Sequence, residues 1–211
     1  MKYGVDVTSS RLDDLDKRLL TDVSLRVTHE EMATVLDVGC GQGGLSVALA
    51  KVGATVVALD RDDYLHCIET RLKEKPELSV SVQFIHDDIS TMDLSTIGHF
   101  DMVVMQRVLH YLPYQTAKNI LSILRQCTDR LYLSVTGVQT EIGHHYTQAE
   151  VAIDKRWDYL DVVGQELFSI TAPICLYYEI EVRELLRETG WKIEWSRISD
   201  FGNIKVAATK Q

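Results

Sequence analysis

The stretch Val35-Leu36-Asp37-Val38-Gly39-Cys40-Gly41-Gln42-Gly43-Gly44 decides the fold. Residues 34–38 form a short apolar run of the kind that a buried parallel strand needs. The run ends in a glycine-rich turn. Residues 45–51 then read as a helix, with Gly53 as its stop. Glycine lets the backbone turn tightly and lets a ligand approach with no Cβ in the way. A strand, a glycine turn and a helix open an α/β sheet that binds ligands at the carboxyl ends of its strands. Gly39, Gly41 and Gly44 also satisfy the G-x-G-x-x-G spacing of dinucleotide sites, so the loop alone leaves the ligand open.

The same rhythm extends in both directions. Upstream, Leu12, Leu15, Leu19, Leu20, Val23 and Val27 recur at helical spacing, with Ser9-Ser10 placed to cap that helix. Downstream, strands are expected at residues 54–59, 81–85, 101–105 and 130–135. Helices are expected at 64–75, ended by Pro76, and at 114–127. Strands separated by helices give a parallel sheet with right-handed crossovers. After residue 135 the period is lost. A stretch this long inside a compact domain reads as a functional cap, partly helical, and we assign it to residues 137–177. Residues 180–189 resume as a helix closed by Gly190. Residues 191–198 and 204–209 then read as a hairpin on the sheet edge, turning around Asp200-Phe201-Gly202-Asn203. No internal repeat is present, and the whole of residues 1–211 reads as a single domain.

Charge and composition narrow the function. The 211 residues carry 22 Lys and Arg against 31 Asp and Glu, a net charge of −9. Nucleic acid is disfavoured as a partner, because phosphate neutralisation needs a basic face. No basic run exceeds a pair such as Lys17-Arg18 or Lys155-Arg156. Cys40, Cys67, Cys127 and Cys175 form no C-x-x-C pair, so neither a zinc framework nor a disulfide scaffold is expected. The first 22 residues are charged throughout and lack a signal-peptide pattern, and no apolar run approaches membrane-spanning length. A cytoplasmic protein with reduced thiols and no membrane partner is the expectation.

Two carboxylates fall at strand ends. Asp60 closes the second strand, 21 residues after Gly39, where an acid accepts both ribose hydroxyls of an adenosine ligand. Asp62 and Asp63 beside it read as solvated. Asp88 follows the third strand in Phe84-Ile-His-Asp-Asp-Ile89 and is placed to accept from an adenine amino group, or to cap a turn. In Phe100-Asp-Met-Val-Val-Met-Gln-Arg-Val-Leu-His-Tyr-Leu-Pro113, Met105 and Gln106 leave the fourth strand at the same edge.

Taken as a set, these motifs resemble those of the class I S-adenosylmethionine-dependent methyltransferases. The Leu-Asp-Val-Gly-Cys-Gly-Gln-Gly run looks like that family's first motif, Asp60 its acidic second motif, and Asp88 the acid after its third strand. Residues 101–113 are similar to its fourth-strand motif. Gly190-Trp191 followed by two strands resembles the family's last helix and antiparallel seventh strand. The resemblance spans about residues 34–135 and 178–210. It implies a doubly wound, mostly parallel, Rossmann-like sheet of seven strands with an antiparallel last strand. It also implies S-adenosylmethionine as cofactor and S-adenosylhomocysteine as product. Asp37, Gly39 and Gly41 would border the methionine end. Asp60 would hold the ribose, Asp88 and the Ile89 N–H would read the adenine, and Met105 or Gln106 would lie near the sulfonium.

The acceptor is read as a small molecule, methylated on oxygen or nitrogen. A proton-accepting group is needed only where the acceptor must lose a proton. His110, and the His144-His145 pair with His145 preferred, are the candidates. Trp157, Tyr159, Tyr177 and Tyr178 are candidates for lining an acceptor pocket. No metal site is expected. Two other readings share these residues: a nicotinamide-dependent oxidoreductase, and a non-catalytic subunit that binds S-adenosylmethionine. The oligomeric state is left open.

Overall fold

The computed structural model describes residues 12–30 and 32–211. Its helices are α1 (Asp14–Glu30), α2 (Gly44–Lys51), α3 (Leu65–Leu72), α4 (Tyr114–Cys127), α5 (Val162–Phe168) and α6 (Glu179–Glu188). Its strands are β1 (Ala33–Val38), β2 (Ala54–Asp60), β3 (Val82–His86), β4 (Met102–Gln106), β5 (Arg130–Thr136), β6 (Trp191–Ile198) and β7 (Asn203–Lys210). They form one seven-stranded sheet in the order β3-β2-β1-β4-β5-β7-β6. β1 pairs in parallel with β2 and β4, and β2 with β3. β6 and β7 are antiparallel, with a bulge between Ile193 and Trp195. The expected doubly wound class holds. The terminal hairpin is refined in one respect: β7 lies inside the sheet, and β6 alone forms that edge.

Two compact units make up the chain. The first contains the described residues up to Gln106 together with Gln126–Tyr132. In it, β1 and β4 are buried along nearly their whole length, as parallel strands covered on both faces must be. β3 is an edge strand and leaves Gln83 and His86 exposed. Helix α1 buries Leu15, Leu19 and Val23 completely. It begins at Asp14, and Asp13 caps it by accepting from the N–H groups of Leu15 at 2.8 Å and Asp16 at 3.2 Å. Ser9 and Ser10, expected as the cap, lie outside the described residues. Polar ties fix α1 further along. Arg26 pairs with Asp101 at 2.6 Å, and Asp101 also accepts from the Thr34 N–H at 2.7 Å and hydroxyl at 2.9 Å. Asp22 accepts from the Tyr132 hydroxyl and from Arg130.

The second unit comprises Arg107–Arg125 and Leu133–Gln211. Residues 137–177 do lack a regular period, yet they have their own core of Tyr146, Leu160, Ile170, Ile174 and Leu176. The buried Arg156 organises it. Its guanidinium makes a bidentate pair with Glu181 at 2.7 and 2.8 Å and also donates to the Val151 and Leu176 carbonyls. Glu181 in turn accepts from the Tyr178 N–H at the start of α6, so one carboxylate both caps a helix and anchors the irregular segment. Trp191 is buried and donates to the Leu121 carbonyl at 3.1 Å, which fixes β6 to α4 within this unit.

The first turn of α2 contains a glycine that both backbone conformation and packing require. Gly43 is its N-cap at φ 76°, and a β-carbon there would overlap Ile68 of α3. Replacing Gly43 with Ala combines a left-handed backbone penalty with overpacking. We expect Gly43→Ala to destabilise the protein by about 2 kcal/mol or more, measured as a lower urea midpoint with an unchanged m-value.

Candidate functional site

The site grows from the exit of β1. Gly39, Gly41 and Gly43 take φ values of 72°, 51° and 76°, a left-handed region that suits glycine. The Gly39 and Cys40 N–H groups both donate to the Leu59 carbonyl, at 2.8 and 3.1 Å. The Gly41 N–H donates to Asp60 Oδ2 at 2.8 Å, and the Asp62 N–H to Asp60 Oδ1 at 2.9 Å. The ends of β1 and β2 are thereby joined, and Asp60 is held in one orientation. Each carboxylate oxygen has two lone pairs, so capacity for further hydroxyl donors remains. Burial pushes the Asp60 carboxyl above its ordinary range, and the two backbone N–H groups act against that rise. Asp62 and Asp63 are exposed, as expected of solvated neighbours.

Asp37 is buried on β1 and accepts from the Ser46 hydroxyl at 2.6 Å, which ties the strand to α2. Asp88 is half-buried after β3. Its Oδ1 accepts from the Ser90 N–H and hydroxyl at 2.8 and 2.7 Å, so the turn-capping role considered above is realised. The Ile89 N–H donates to no acceptor among the described residues, although its side chain is buried. Met105 is fully buried in β4. Gln106 is 7 % exposed, and its side-chain amide donates to Asp16 of α1. Directly after it, Arg107 adopts φ 53°, a conformation uncommon for a residue with a side chain.

These eight cofactor candidates all fall in the first unit; the Gly41 N–H is bonded directly to Asp60, and the Gly39 N–H to the adjacent Leu59 carbonyl. Two residues were not singled out from the sequence. Gly43, not Gly44, is the third left-handed glycine, and the run Gly43-Gly44 carries no local signal that separates them. Asp16 reads in the sequence as one of several acids near a helix start.

The two histidine candidates belong to the second unit and differ sharply. His110 is 2 % exposed. Its Nε2 lies 3.4 Å from the Thr136 hydroxyl, and its Nδ1 has no partner among the described residues. Burial, with the Arg107 charge adding to it, lowers its pKa to about 3. A neutral imidazole of that kind is a hydrogen-bonding group and a weak proton acceptor. His145 keeps partial exposure, and its Nδ1 lies 3.0 Å from Asp161 Oδ1. Asp161 also caps α5 by accepting from the Gly164 N–H at 2.7 Å. That bond, with His145 adding to it, holds the Asp161 carboxyl below its ordinary range. His144 is exposed. Of the aromatic candidates, Tyr177 is fully buried, Trp157 and Tyr178 are half-buried, and Tyr159 is exposed.

No cluster of three or more metal-ligating side chains occurs among the described residues. No described helix is long and apolar enough to cross a membrane.

Comparison with known proteins gives a consistent picture. Residues 35–130 match a family model described as a methyltransferase domain. The ubiquinone biosynthesis O-methyltransferase of Xanthomonas campestris pv. campestris is 34% identical over 99 residues, 47% of this chain and 38% of that protein. The same enzyme of Coxiella burnetii is 30% identical over 113 residues, 51% of this chain and 47% of that one. The matched region thus spans less than half of either relative. Among solved structures, the fold is similar to magnesium protoporphyrin IX methyltransferase from Synechocystis PCC 6803 with bound S-adenosylhomocysteine. The TM-score is 0.64 at 18% identity, covering 96% of this chain and 90% of that one. The 1,6-didemethyltoxoflavin-N1-methyltransferase of Burkholderia thailandensis gives a TM-score of 0.64 at 17% identity, covering 98% and 81%.

The buried imidazole has a pH consequence. Below about pH 6.5 the unfolded chain protonates His110 while the folded chain does not until about pH 3, so stability falls as pH drops through that window. The slope attributable to one such group is at most about 1.4 kcal/mol per pH unit. Urea midpoints recorded between pH 7 and pH 4 should decline less steeply for His110→Gln than for the wild type.

Proposed function

We propose that this chain, whose residues 35–130 match a methyltransferase-domain model, is a class I methyltransferase that binds S-adenosylmethionine and methylates a small molecule. The observation that carries the reading is the bonded group at the ends of β1 and β2. There the left-handed glycine loop approaches a carboxylate that its own backbone orients. An adenosine diol is the ligand chemistry that such an acceptor suits. The sheet order supports a sulfonium cofactor over a nicotinamide dinucleotide. Dinucleotide folds of the 3-2-1-4-5-6 type are parallel throughout, whereas here β7 enters between β5 and β6 and runs antiparallel to β6.

The residues present fit the cofactor. In this reading Asp60 accepts from the ribose hydroxyls. The Ile89 N–H, without an acceptor among the described residues, donates to an adenine nitrogen, and Asp88 accepts from the exocyclic amine. Asp37 braces the loop through Ser46. Gly39 and Gly41 leave room for the methionine end, while Met105 and Gln106 close that end at β4. When bound, S-adenosylmethionine supplies an electrophilic methyl group. The chain then has to align an acceptor in line with it and exclude water, which contributes up to about 7–11 kcal/mol when the geometry is near attack.

Residues 137–177 are assigned to acceptor selection. Where the acceptor must lose a proton, His145 suits the task better than His110. Its Nδ1 is oriented by Asp161, which leaves Nε2 as the accepting atom. The neutral His110 then acts as a hydrogen-bonding and packing group. The net charge of −9, which disfavours a phosphate backbone, and the 1,6-didemethyltoxoflavin bound by the Burkholderia thailandensis neighbour support a small-molecule acceptor. A cytoplasmic location fits Cys40, Cys67, Cys127 and Cys175, which form no disulfide.

Calorimetric titration with S-adenosylmethionine, S-adenosylhomocysteine and NAD tests the assignment. Micromolar binding of the two adenosyl compounds without NAD binding is the expected result, and NAD binding alone refutes it. Asp60→Ala should lower S-adenosylhomocysteine affinity at least tenfold while circular dichroism shows the fold retained.

A further inference from the structure

We infer that Asp16 is a positioning residue for the amino-acid end of the cofactor, acting through the side chain of Gln106. This inference rests on the cofactor reading above and adds to it a residue on α1 that no strand-end motif contains.

The side chain of Gln106 is a primary amide with two chemically distinct ends. Its NH2 group only donates and its oxygen only accepts, so whatever fixes one end fixes the other. Asp16 is 1 % exposed, and its carboxylate, when ionised, accepts only. It therefore selects the donor end of Gln106, and Gln106 Nε2 donates to Asp16 Oδ1. Gln106 Oε1, the other end of the same amide, accepts no hydrogen bond among the described residues. The side chain is 7 % exposed, and its oxygen is not among the sealed unpartnered atoms, so the acceptor end opens onto solvent and is available to a ligand's donor.

Register places that oxygen. Val38 of β1 pairs with Met105 of β4, so Gln106 lies level with the start of the glycine loop. Asp60 and the Ile89 N–H occupy the ends of β2 and β3, farther along the same edge. An acceptor at Gln106 thus belongs at the other end of an adenosyl ligand from the base. The group of S-adenosylmethionine that calls for a neutral acceptor is its α-ammonium. Without Asp16, the amide is free to rotate and to present its NH2 end, which repels that cation.

Asp16 is itself held. Its Oδ2 accepts from the Asp13 N–H at 2.8 Å, the return bond of a capping box whose forward bonds run from Leu15 and Asp16 to Asp13. One carboxylate oxygen therefore serves the helix start and the other serves Gln106.

The test compares two ligands that share the adenosine and differ in the amino-acid end: S-adenosylhomocysteine and 5′-methylthioadenosine. Asp16→Ala should weaken S-adenosylhomocysteine at least tenfold and leave 5′-methylthioadenosine within about twofold. Asp16→Asn should restore most of the loss, since the Asn oxygen again accepts from Gln106. Gln106→Met, which leaves the helix cap intact, should reproduce the selective loss, and the double variant Asp16→Ala with Gln106→Met should add little to it. Asp13→Ala removes the same cap and should leave the ratio of the two affinities unchanged. A wild-type protein that binds neither compound overturns the cofactor reading and this inference together. A wild type that binds both, with Asp16→Ala and Gln106→Met weakening both alike or neither, overturns this inference alone.

Discussion

The first unit depends on one local constraint: the chain must leave β1, turn back within a few residues and enter α2 while its amides remain bonded. Three left-handed glycines make the turn. The Leu59 carbonyl and the Asp60 carboxylate, both at the end of β2, receive the loop's N–H groups. The strand order follows from the same place. β1 has β2 on one side and β4 on the other, so the sheet grows outward from it in both directions. This is the switch point at which open α/β sheets bind ligands. The stabilisation of the turn and the construction of the site are thus one set of hydrogen bonds, and a change that loosens either loosens both.

Buried charge has two uses in this protein. In the second unit the Arg156–Glu181 pair organises a stretch that has little regular structure. The pair is bidentate, it has further bonds to carbonyls, and Glu181 also caps α6. A buried ion pair offsets its desolvation only when its remaining hydrogen-bonding capacity is also satisfied, and that condition is met here. In the first unit Asp16 is buried at the start of α1 and acts on an amide instead of a cation. It contributes direction. The two units therefore place their most buried charges where the backbone alone offers least definition: an irregular segment and a strand end.

Histidine shows how far residue type falls short of role. His110 and His145 read alike in the sequence, as imidazoles near the expected acceptor region. Packing separates them. His110 is sealed against Thr136 and the ring of Tyr111, and it stays neutral. His145 retains solvent access and a carboxylate partner at the cap of the next helix. The difference arises from the burial of each side chain, which depends on contacts tens of residues away.

By itself the sequence determined the order of strands and helices outside residues 137–177, the glycine turn, the strand-end acids Asp60 and Asp88, and the closing antiparallel pair. Each of these rests on local chemistry: apolar periodicity, the freedom of glycine to adopt positive φ, and the place of an acid just after a strand. The tertiary structure alone decided what each polar side chain does. It chose Gly43 over Gly44 as the packing glycine, because Ile68 of another helix lies against it. It turned Asp88 inward on its own turn through Ser90. It joined Gln106 to Asp16, a residue 90 positions earlier in the chain. It gave residues 137–177 a core and a buried arginine where no period had been legible. The physical reason is the same in each case. Hydrogen-bond partnership and burial are properties of positions brought together by folding, and sequence spacing carries no record of them.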